Sequence, residues 1–369
     1  MKRVEAYDVA RANERYRPAL RQVAADIVAG KQFILGDEVR RFETGFATYC
    51  GAAHCIGVGN GLDALTLALQ AAGVQPGDEV LVPAFTFLAT WSAVSLLGAH
   101  PVPVDVRHDG LIDPDQITAA ITPRTRVIIP VHLYGRLADM EAITAIAERF
   151  GLLVIEDAAQ AHGAERNGIR AGAFGTAAAF SFYPTKNLGA FGDGGAICIN
   201  DAQMADKLRQ LRNYGSTVKY RHDLLGRNSR LDELQAALLS VKLPDLDAAN
   251  ARRRAVATHY LRALQGHPGI ASPASAGLDM VWHQFVLRTK DRDRLQADLA
   301  ATGVQTMVHY PIAPFDQPCY VGQYDRARYP VAAELAATVL SLPMGDYLSP
   351  DEVAHVTSAL EHLPELLDA

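Results

Sequence analysis

Apolar positions along this chain switch between two rhythms. The runs EVLVP (79–83), PVPVDV (101–106), TRVIIPV (125–131) and LLVIED (152–157) are short, rich in β-branched residues and continuous enough for buried strands. Between and after them, TWSAVSLLG, PDQITAAI and ADMEAITAIAERFG read as helical stretches. Strand and helix in alternation predict an α/β fold around a largely parallel sheet. From about Asn228 the pattern changes to a long helical run, RLDELQAALLSVKL, which Pro244 breaks or kinks before ANARRRAVATHYLRALQG. Beyond it come strand-like VWHQFVLRT (281–289), helical DRDRLQADLAATG, strand-like VQTMVHYP, and two helical stretches, VAAELAATVLSL and SPDEVAHVTSALEHL. A second domain is therefore expected. Residues 1–245, with an N-terminal helical segment, form the large one, and residues 246–369 a smaller C-terminal α+β one. No internal repeat or low-complexity tract interrupts the pattern.

Composition excludes several classes. The 369 residues are 49% apolar and 21% charged, as in a soluble globular protein, and no apolar run nears the roughly 20 residues that cross a bilayer. The first residues, MKRVEAYDVARANERYRP, lack the apolar centre of a signal peptide, so a cytoplasmic protein without membrane contact is expected. A net charge of −6 leaves no overall positive field, and the basic cluster Arg252, Arg253 and Arg254 reads as a solvated helix face rather than a nucleic-acid surface. Cys50, Cys55, Cys198 and Cys319 form no C-x-x-C pair, which argues against a metal site or a disulfide framework and predicts isolated buried thiols.

Candidate chemistry centres on FSFYPTKNLGAFGDGG (180–195), where Lys186 stands between an aromatic run and a glycine-rich loop. A solvated lysine gains nothing from such a setting, so the loop is either a plain turn or a holder for a reactive amine. In CIGVGNGLDALTLAL (55–69), glycines 57, 59 and 61 lead into a helix, but the third comes one place early for a dinucleotide-binding fingerprint. What remains is a helix start with Asn60 as N-cap and bared first-turn amides, either an ordinary cap or a phosphate site. LLVIEDAAQAHGA puts Glu156 and Asp157 at the carboxyl end of a parallel strand, where α/β folds bind ligands. PAFTFLATW (83–91) follows another strand with Phe85 and Phe87, one for the core and one for the same crevice. Amine, carboxylate, aromatic face and phosphate cup are together what pyridoxal phosphate requires of a protein. The lysine forms a Schiff base with its aldehyde, and an aspartate such as Asp157 keeps its ring nitrogen protonated.

In this order the motifs resemble those of the DegT-type nucleotide-sugar aminotransferases, which are fold type I pyridoxal phosphate enzymes. The likeness is carried along nearly the whole chain by GNGLDALTLAL, GDEVLVPAFTFLAT, VIIPVHLYGRLADM, VIEDAAQAHGA, FSFYPTKNLGAFGDGGA, RNYGS, GRNSRLDELQAALLSVKL and VHYP. The resemblance implies a mostly parallel mixed sheet between helices in the large domain. It implies that Lys186 links the cofactor, Asp157 pairs with the ring nitrogen, Gln160 lies near the phenolic oxygen and Phe87 stacks on the ring. Ser181, with backbone amides around Gly61, Leu62 and Asp63, matches the phosphate cup. Asn228 matches an asparagine that reaches the phosphate of the neighbouring subunit's cofactor, so a homodimer with shared sites is expected. Tyr183, His309 and Tyr310 are implied on the substrate side. Lys219, Tyr220, His222 and Arg227 offer charge for a pyrophosphate, or else form a solvated basic loop. Two departures stand out: Leu62 and Asp63 replace a common Thr-Ala pair, losing a hydroxyl, and Phe315 replaces a histidine frequent after HYP on the sugar side.

The resemblance therefore implies a pyridoxal phosphate-dependent aminotransferase that moves nitrogen from L-glutamate to a nucleotide-linked keto-deoxysugar. Tyr183, three residues before Lys186 where several 4-aminotransferases carry histidine, leans the choice toward C3 of a dTDP-3-keto-6-deoxyhexose. The alternatives are a 4-aminotransferase on a UDP- or dTDP-4-keto sugar and a non-catalytic binding protein of the same fold, against which Lys186 and Asp157 both speak.

Overall fold

Seven strands form the central sheet of this computed structural model, which describes residues 3–274 and 277–363. In chain order these are β1 (His54–Val58), β2 (Glu79–Pro83), β3 (His100–Val104), β4 (Thr125–Ile128), β5 (Leu153–Asp157), then, after the small hairpin β6 (Glu165–Arg166) and β7 (Ile169–Arg170), β8 (Ala177–Ser181) and β9 (Gly195–Ile199). The spatial order is β1-β9-β8-β5-β4-β2-β3, parallel throughout from β8 to β3 and antiparallel only where β9 meets β1 and β8. The sheet is thus the expected mixed, mostly parallel one.

Helices α1 (Val9–Ala12), α2 (Arg17–Ala29) and α3 (Asp37–Cys50) come first, and α4 (Gly61–Ala71), α5 (Ala89–Ser95), α6 (Pro114–Ala120), α7 (Met140–Phe150) and α8 (Ala202–Leu211) alternate with the strands. Local chemistry sets their ends. Asn60, Asp113, Asp139 and Asp201 each accept a first-turn amide at α4, α6, α7 and α8, and left-handed Gly51 and Gly151 close α3 and α7. Period-two alternation then divides the core. Ile56, Val80, Val82 and Ile155 pack on one face of the sheet, and Cys55, Phe180 and Cys198 on the other.

The chain continues through the hairpin β10 (Ser216–Val218) and β11 (Arg221–His222), then α9 (Glu233–Lys242), a 3-10 turn holding Pro244, and α10 (Leu246–Ala263). It ends with β12 (Phe285–Arg288), α11 (Arg292–Ala301), α12 (Pro330–Thr338), β13 (Val339–Leu342) and α13 (Pro350–Glu361). Two readings are corrected. VAAELAATVLSL is not one helix: it stops at Thr338, and VLSL, buried at all four positions, pairs antiparallel with β12. VQTMVHYP is no strand but touches its neighbours through isolated bridges, Val304 to Val4 and Met307 to Ser341.

Arg253 also departs from expectation. It is 2% exposed and donates to the carbonyls of Trp282 (3.2 Å) and His283 (3.4 Å), so the basic cluster is not a uniformly solvated face. The buried thiols are not isolated either: Cys55 lies opposite Cys198 in register, and Cys198 also interacts with Cys50. No helix among the described residues is long and apolar enough to cross a membrane.

Candidate active site

Two carboxylates end β5, and strand alternation sends them to opposite faces. Glu156 is fully buried. Its oxygens accept the backbone amides of Gly172 (2.9 Å), Phe174 (2.9 Å) and Gly175 (2.8 Å). His132 Nε2 lies 3.0 Å away, and because the Ala138 amide donates to His132 Nδ1, the Nε2–H donates to the carboxylate. Glu156 is therefore a staple for the 172–175 turn, not a wall of the crevice as read from the sequence. Glu156→Ala is expected to lower stability by about 3–5 kcal/mol, since four donors lose their acceptor in a dry interior. Urea unfolding of the variant measures this, and a loss below about 1 kcal/mol would contradict the staple.

Asp157 faces the crevice and is 6% exposed. Oδ2 accepts from Thr90 Oγ1 (2.9 Å), whose hydroxyl also meets that of Thr86 (3.0 Å), and Oδ1 accepts from the Ala159 amide (3.2 Å). Burial pushes the carboxyl above its ordinary value, while Thr90, Ala159 and the nearby Lys186 oppose that shift. A buried carboxylate with so few donors is poised to gain from a cationic partner.

Lys186 lies on the loop between β8 and β9. Its amide donates to the Tyr183 carbonyl (2.8 Å), and that of Ala190 to Phe182 (2.7 Å). Helix α9 braces the loop: Gln235 accepts the Phe191 amide (2.8 Å), and Lys242, two helical turns on along the same face, donates to the Gly189 carbonyl (2.6 Å). Asn187 adds bonds to Asn250 (2.8 Å) and the Val281 carbonyl (3.0 Å). The Lys186 side chain enters the crevice half-buried. Burial pushes its amine down to about 8, with Asp157 pulling the other way, which brings the neutral form into reach near neutral pH.

At the other end of the crevice, the Asn60 side chain accepts the Asp63 amide (2.8 Å) and its carbonyl accepts that of Ala64 (3.0 Å). The amides of Gly61 and Leu62 are left without a partner among the described residues, beside Ser181 on the crevice wall. Glycine is required at position 61, where a Cβ would stand 2.7 Å from that of Ser181. Two free amides, a positive helix end and a hydroxyl make an anion cup. Asp63 does not belong to it, contrary to the sequence reading. Its amide is occupied, and its carboxylate turns to Ser229 (2.7 Å), Asn60 (3.2 Å) and Arg227 (3.4 Å).

Lys186, Asp157, Gln160, Ser181, Gly61 and Leu62 share one cavity of 340 Å³. Gln160 is fixed from both ends, accepting the Tyr134 amide (2.6 Å) and donating to the Tyr310 hydroxyl (3.0 Å). Phe85 is core, whereas Phe87 is 55% exposed on the cavity wall, its ring 5.4 Å from that of Tyr310. Tyr183 and His309 line the same wall. His309 Nδ1 lies 2.8 Å from Ser341 Oγ, and burial with the Lys186 charge pushes its ring down to about 4.

Other candidates fall outside. Lys219, Tyr220 and His222 sit on the exposed β10–β11 hairpin, Arg227 turns to Asp63, and Asn228 is exposed. None of the five lines the cavity of its own chain. Phe315 is 2% exposed and stacks on Tyr329 (5.4 Å), so it belongs to the core and does not shape the cavity.

Thr90, His283 and Gln284 were not foreseen. His283 and Gln284 line the cavity from VWHQFVLRT, a stretch whose apolar spacing signals only a strand. Burial, reinforced by Lys186, pushes the His283 ring below its ordinary value. His162 is buried against Phe46, Phe180 and Phe182, and burial pushes its ring down to about 3.

Residues 15–361 match the DegT/DnrJ/EryC1/StrS aminotransferase family. The chain is 47% identical to the dTDP-3-amino-3,4,6-trideoxy-alpha-D-glucose transaminase of Streptomyces venezuelae, over 99% of this chain and 97% of that protein. It is 48% identical to the dTDP-3-amino-3,6-dideoxy-alpha-D-galactopyranose transaminase of Aneurinibacillus thermoaerophilus, over 96% and 97%. Its fold is similar to the crystal structure of S. venezuelae DesV in complex with a ketimine intermediate, with a TM-score of 0.96, 48% identity and 98% of each chain covered.

Proposed function

Since the chain belongs to the DegT/DnrJ/EryC1/StrS aminotransferase family, whose members are pyridoxal phosphate enzymes, we propose that it transfers the amino group of L-glutamate to C3 of a dTDP-3-keto-6-deoxyhexose. One observation carries the chemistry: a single cavity joins a lysine of lowered pKa, a buried carboxylate short of donors and a helix end with two free amides. This donor set fits pyridoxal phosphate. Ser181 with the Gly61 and Leu62 amides would hold the phosphate, Asp157 the ring nitrogen, Gln160 the phenolic edge, and Phe87 the ring face. When bound, the cofactor supplies an aldehyde for the lysine and a ring that accepts the electron pair left when a substrate C–H bond breaks.

The protein's own work is positioning and proton transfer. Lys186 Nζ is the joining amine and, once displaced, would carry a proton between the substrate carbon and the carbon that was the cofactor's aldehyde, in one direction with glutamate and in the other with the keto sugar. The braces from Gln235, Lys242 and Asn187 hold its backbone while the side chain changes role. Thr90 and Ala159 keep the Asp157 carboxylate aimed into the cavity.

Amination at C3 is supported by what the names of the two transaminase relatives have in common: both products carry the amine at C3 and lack oxygen at C6, while they differ at C4. Asn228 belongs to the same reading as a contributor to the cofactor phosphate of the neighbouring subunit in a homodimer, and Lys219, Tyr220, His222 and Arg227 belong to it as charge for the nucleotide's pyrophosphate. A cytoplasmic location and a division at residues 245/246, where α10 begins, complete it. The test offers the loaded enzyme glutamate with dTDP-3-keto or dTDP-4-keto 6-deoxy sugars. The 3-keto sugar should consume glutamate at least about 100-fold faster, since a misplaced reacting carbon costs that much. Preference for the 4-keto sugar would overturn the C3 assignment.

A further inference from the structure

Beside the Lys186 cavity lies a smaller one of 230 Å³, and Tyr183, Thr185, His283, Gln284 and His309 line both. Beyond that shared wall the small chamber is lined by Tyr7, Met307, Ser341, Leu342 and Met344. Its volume falls below the roughly 300–1,000 Å³ that encloses a whole ligand, so it suits one edge of a hexose and not a nucleoside diphosphate. In a pyranose whose C3 is at the lysine, the ring carbons beside the ring oxygen, C1 and C5, lie on the far side. C1 bears the nucleotide, which needs open space; C5, with its C6 substituent, is the corner left for the chamber.

Resting on the C3 reading above, we propose that this chamber receives the C5–C6 edge of the sugar and selects a C6 methyl over a hydroxymethyl or a carboxylate. Leu342 and Met344, 2% and 3% exposed, present apolar surface suited to a methyl group, and Met307 stands half-exposed at the rim. Among the described residues no arginine or lysine lines the chamber, and its two histidines, His283 and His309, are both held toward the neutral form. A C6 carboxylate would therefore be buried with no cation in the chamber lining, the Arg253 charge lying behind Tyr7 and His283. The Ser341 hydroxyl already bonds His309. Gln284 Oε1, buried and without a partner among the described residues, is an acceptor on the shared wall. It can take a hydroxyl hydrogen but repels an anion, so a hydroxymethyl is disfavoured less than a carboxylate.

The experiment uses the holoenzyme and three dTDP-hexoses with an unoxidised C3, which cannot react: dTDP-6-deoxyglucose, dTDP-glucose and dTDP-glucuronate. Calorimetry should give Kd rising about 10- to 100-fold from methyl to hydroxymethyl and by about 10³-fold or more to carboxylate. Met307→Arg, at a half-exposed position that tolerates charge, should tighten dTDP-glucuronate by about 10-fold or more. Equal affinities in the wild type, or a dTDP-glucuronate affinity that Met307→Arg leaves unchanged, would overturn the chamber assignment even if C3 transamination were observed. Conversely, the expected order of affinities with no turnover of any 3-keto sugar would support the chamber and refute the C3 reading.

Discussion

Lys186→Ala reduces transamination by about 10⁴-fold or more, because one substitution removes both the joining amine and the proton carrier. The fold should survive it. The loop is held by the Tyr183 carbonyl, Gln235, Lys242 and Asn187, none of which depends on the Lys186 side chain. Thermal unfolding of the apo-variant should therefore match wild type, and borohydride reduction should fix the cofactor to the Lys186 peptide of wild type and to no peptide of the variant. A pH series separates the amine from its setting. With its pKa pushed down to about 8, the amine of the apo-protein is protonated below that value and neutral above it. Covalent uptake of pyridoxal phosphate should accordingly rise with pH and level off above about 8, well short of the pH an ordinary lysine needs. Retention of more than about 1% activity by Lys186→Ala would remove Lys186 from the mechanism.

Much of this was legible because local chemistry and tertiary structure agree. EVLVP becomes β2 residue for residue, since Val80, Leu81 and Val82 suit a strand buried on both faces, with Glu79 tied to Arg124 at its start. Asn60 caps α4 because its side chain can reach the amide three residues on, whatever packs around it. Lys186 and Asp157 could be paired because Asp157 ends β5 and Lys186 lies on the loop that leaves the carboxyl end of the adjacent β8, where such folds collect ligands. The misses are choices that only packing makes. Nothing local distinguishes Arg253 from Arg252 and Arg254; its packing against the carbonyls of Trp282 and His283 and the Tyr7 side chain does. VLSL has the composition of either helix or strand, and β12 decides it. Asp63 could cap its own helix or approach an anion, and Ser229 and Arg227, over 160 residues away, turn it aside. His283 and Gln284 reach the cavity from a stretch whose pattern records only burial.

Asp157→Asn should move two properties in opposite directions, which a merely structural aspartate would not do. In the apo-protein the folded-state pKa of Asp157 is raised, mainly by burial. A carboxyl raised on folding contributes stability below its unfolded pKa and loses that contribution as pH rises through the folded value. At neutral pH the apo-protein therefore carries the cost of a desolvated charge, and neutral asparagine relieves it. Apo Asp157→Asn should be as stable as wild type at pH 7 or more so, with the margin shrinking as pH falls through the raised folded-state value and the wild-type carboxyl takes up its proton. Function should go the other way. Asparagine can still accept from Thr90 or Ala159, but it cannot hold a cationic ring nitrogen, so turnover should fall by about 10²–10³-fold and cofactor should dissociate more readily. The same change removes the anion that raises the lysine, so the midpoint of cofactor uptake by Lys186 should shift to lower pH. A variant destabilised at pH 7 with turnover unchanged would make Asp157 a packing residue; the opposed shifts, together with the lowered midpoint, would assign it to the cofactor.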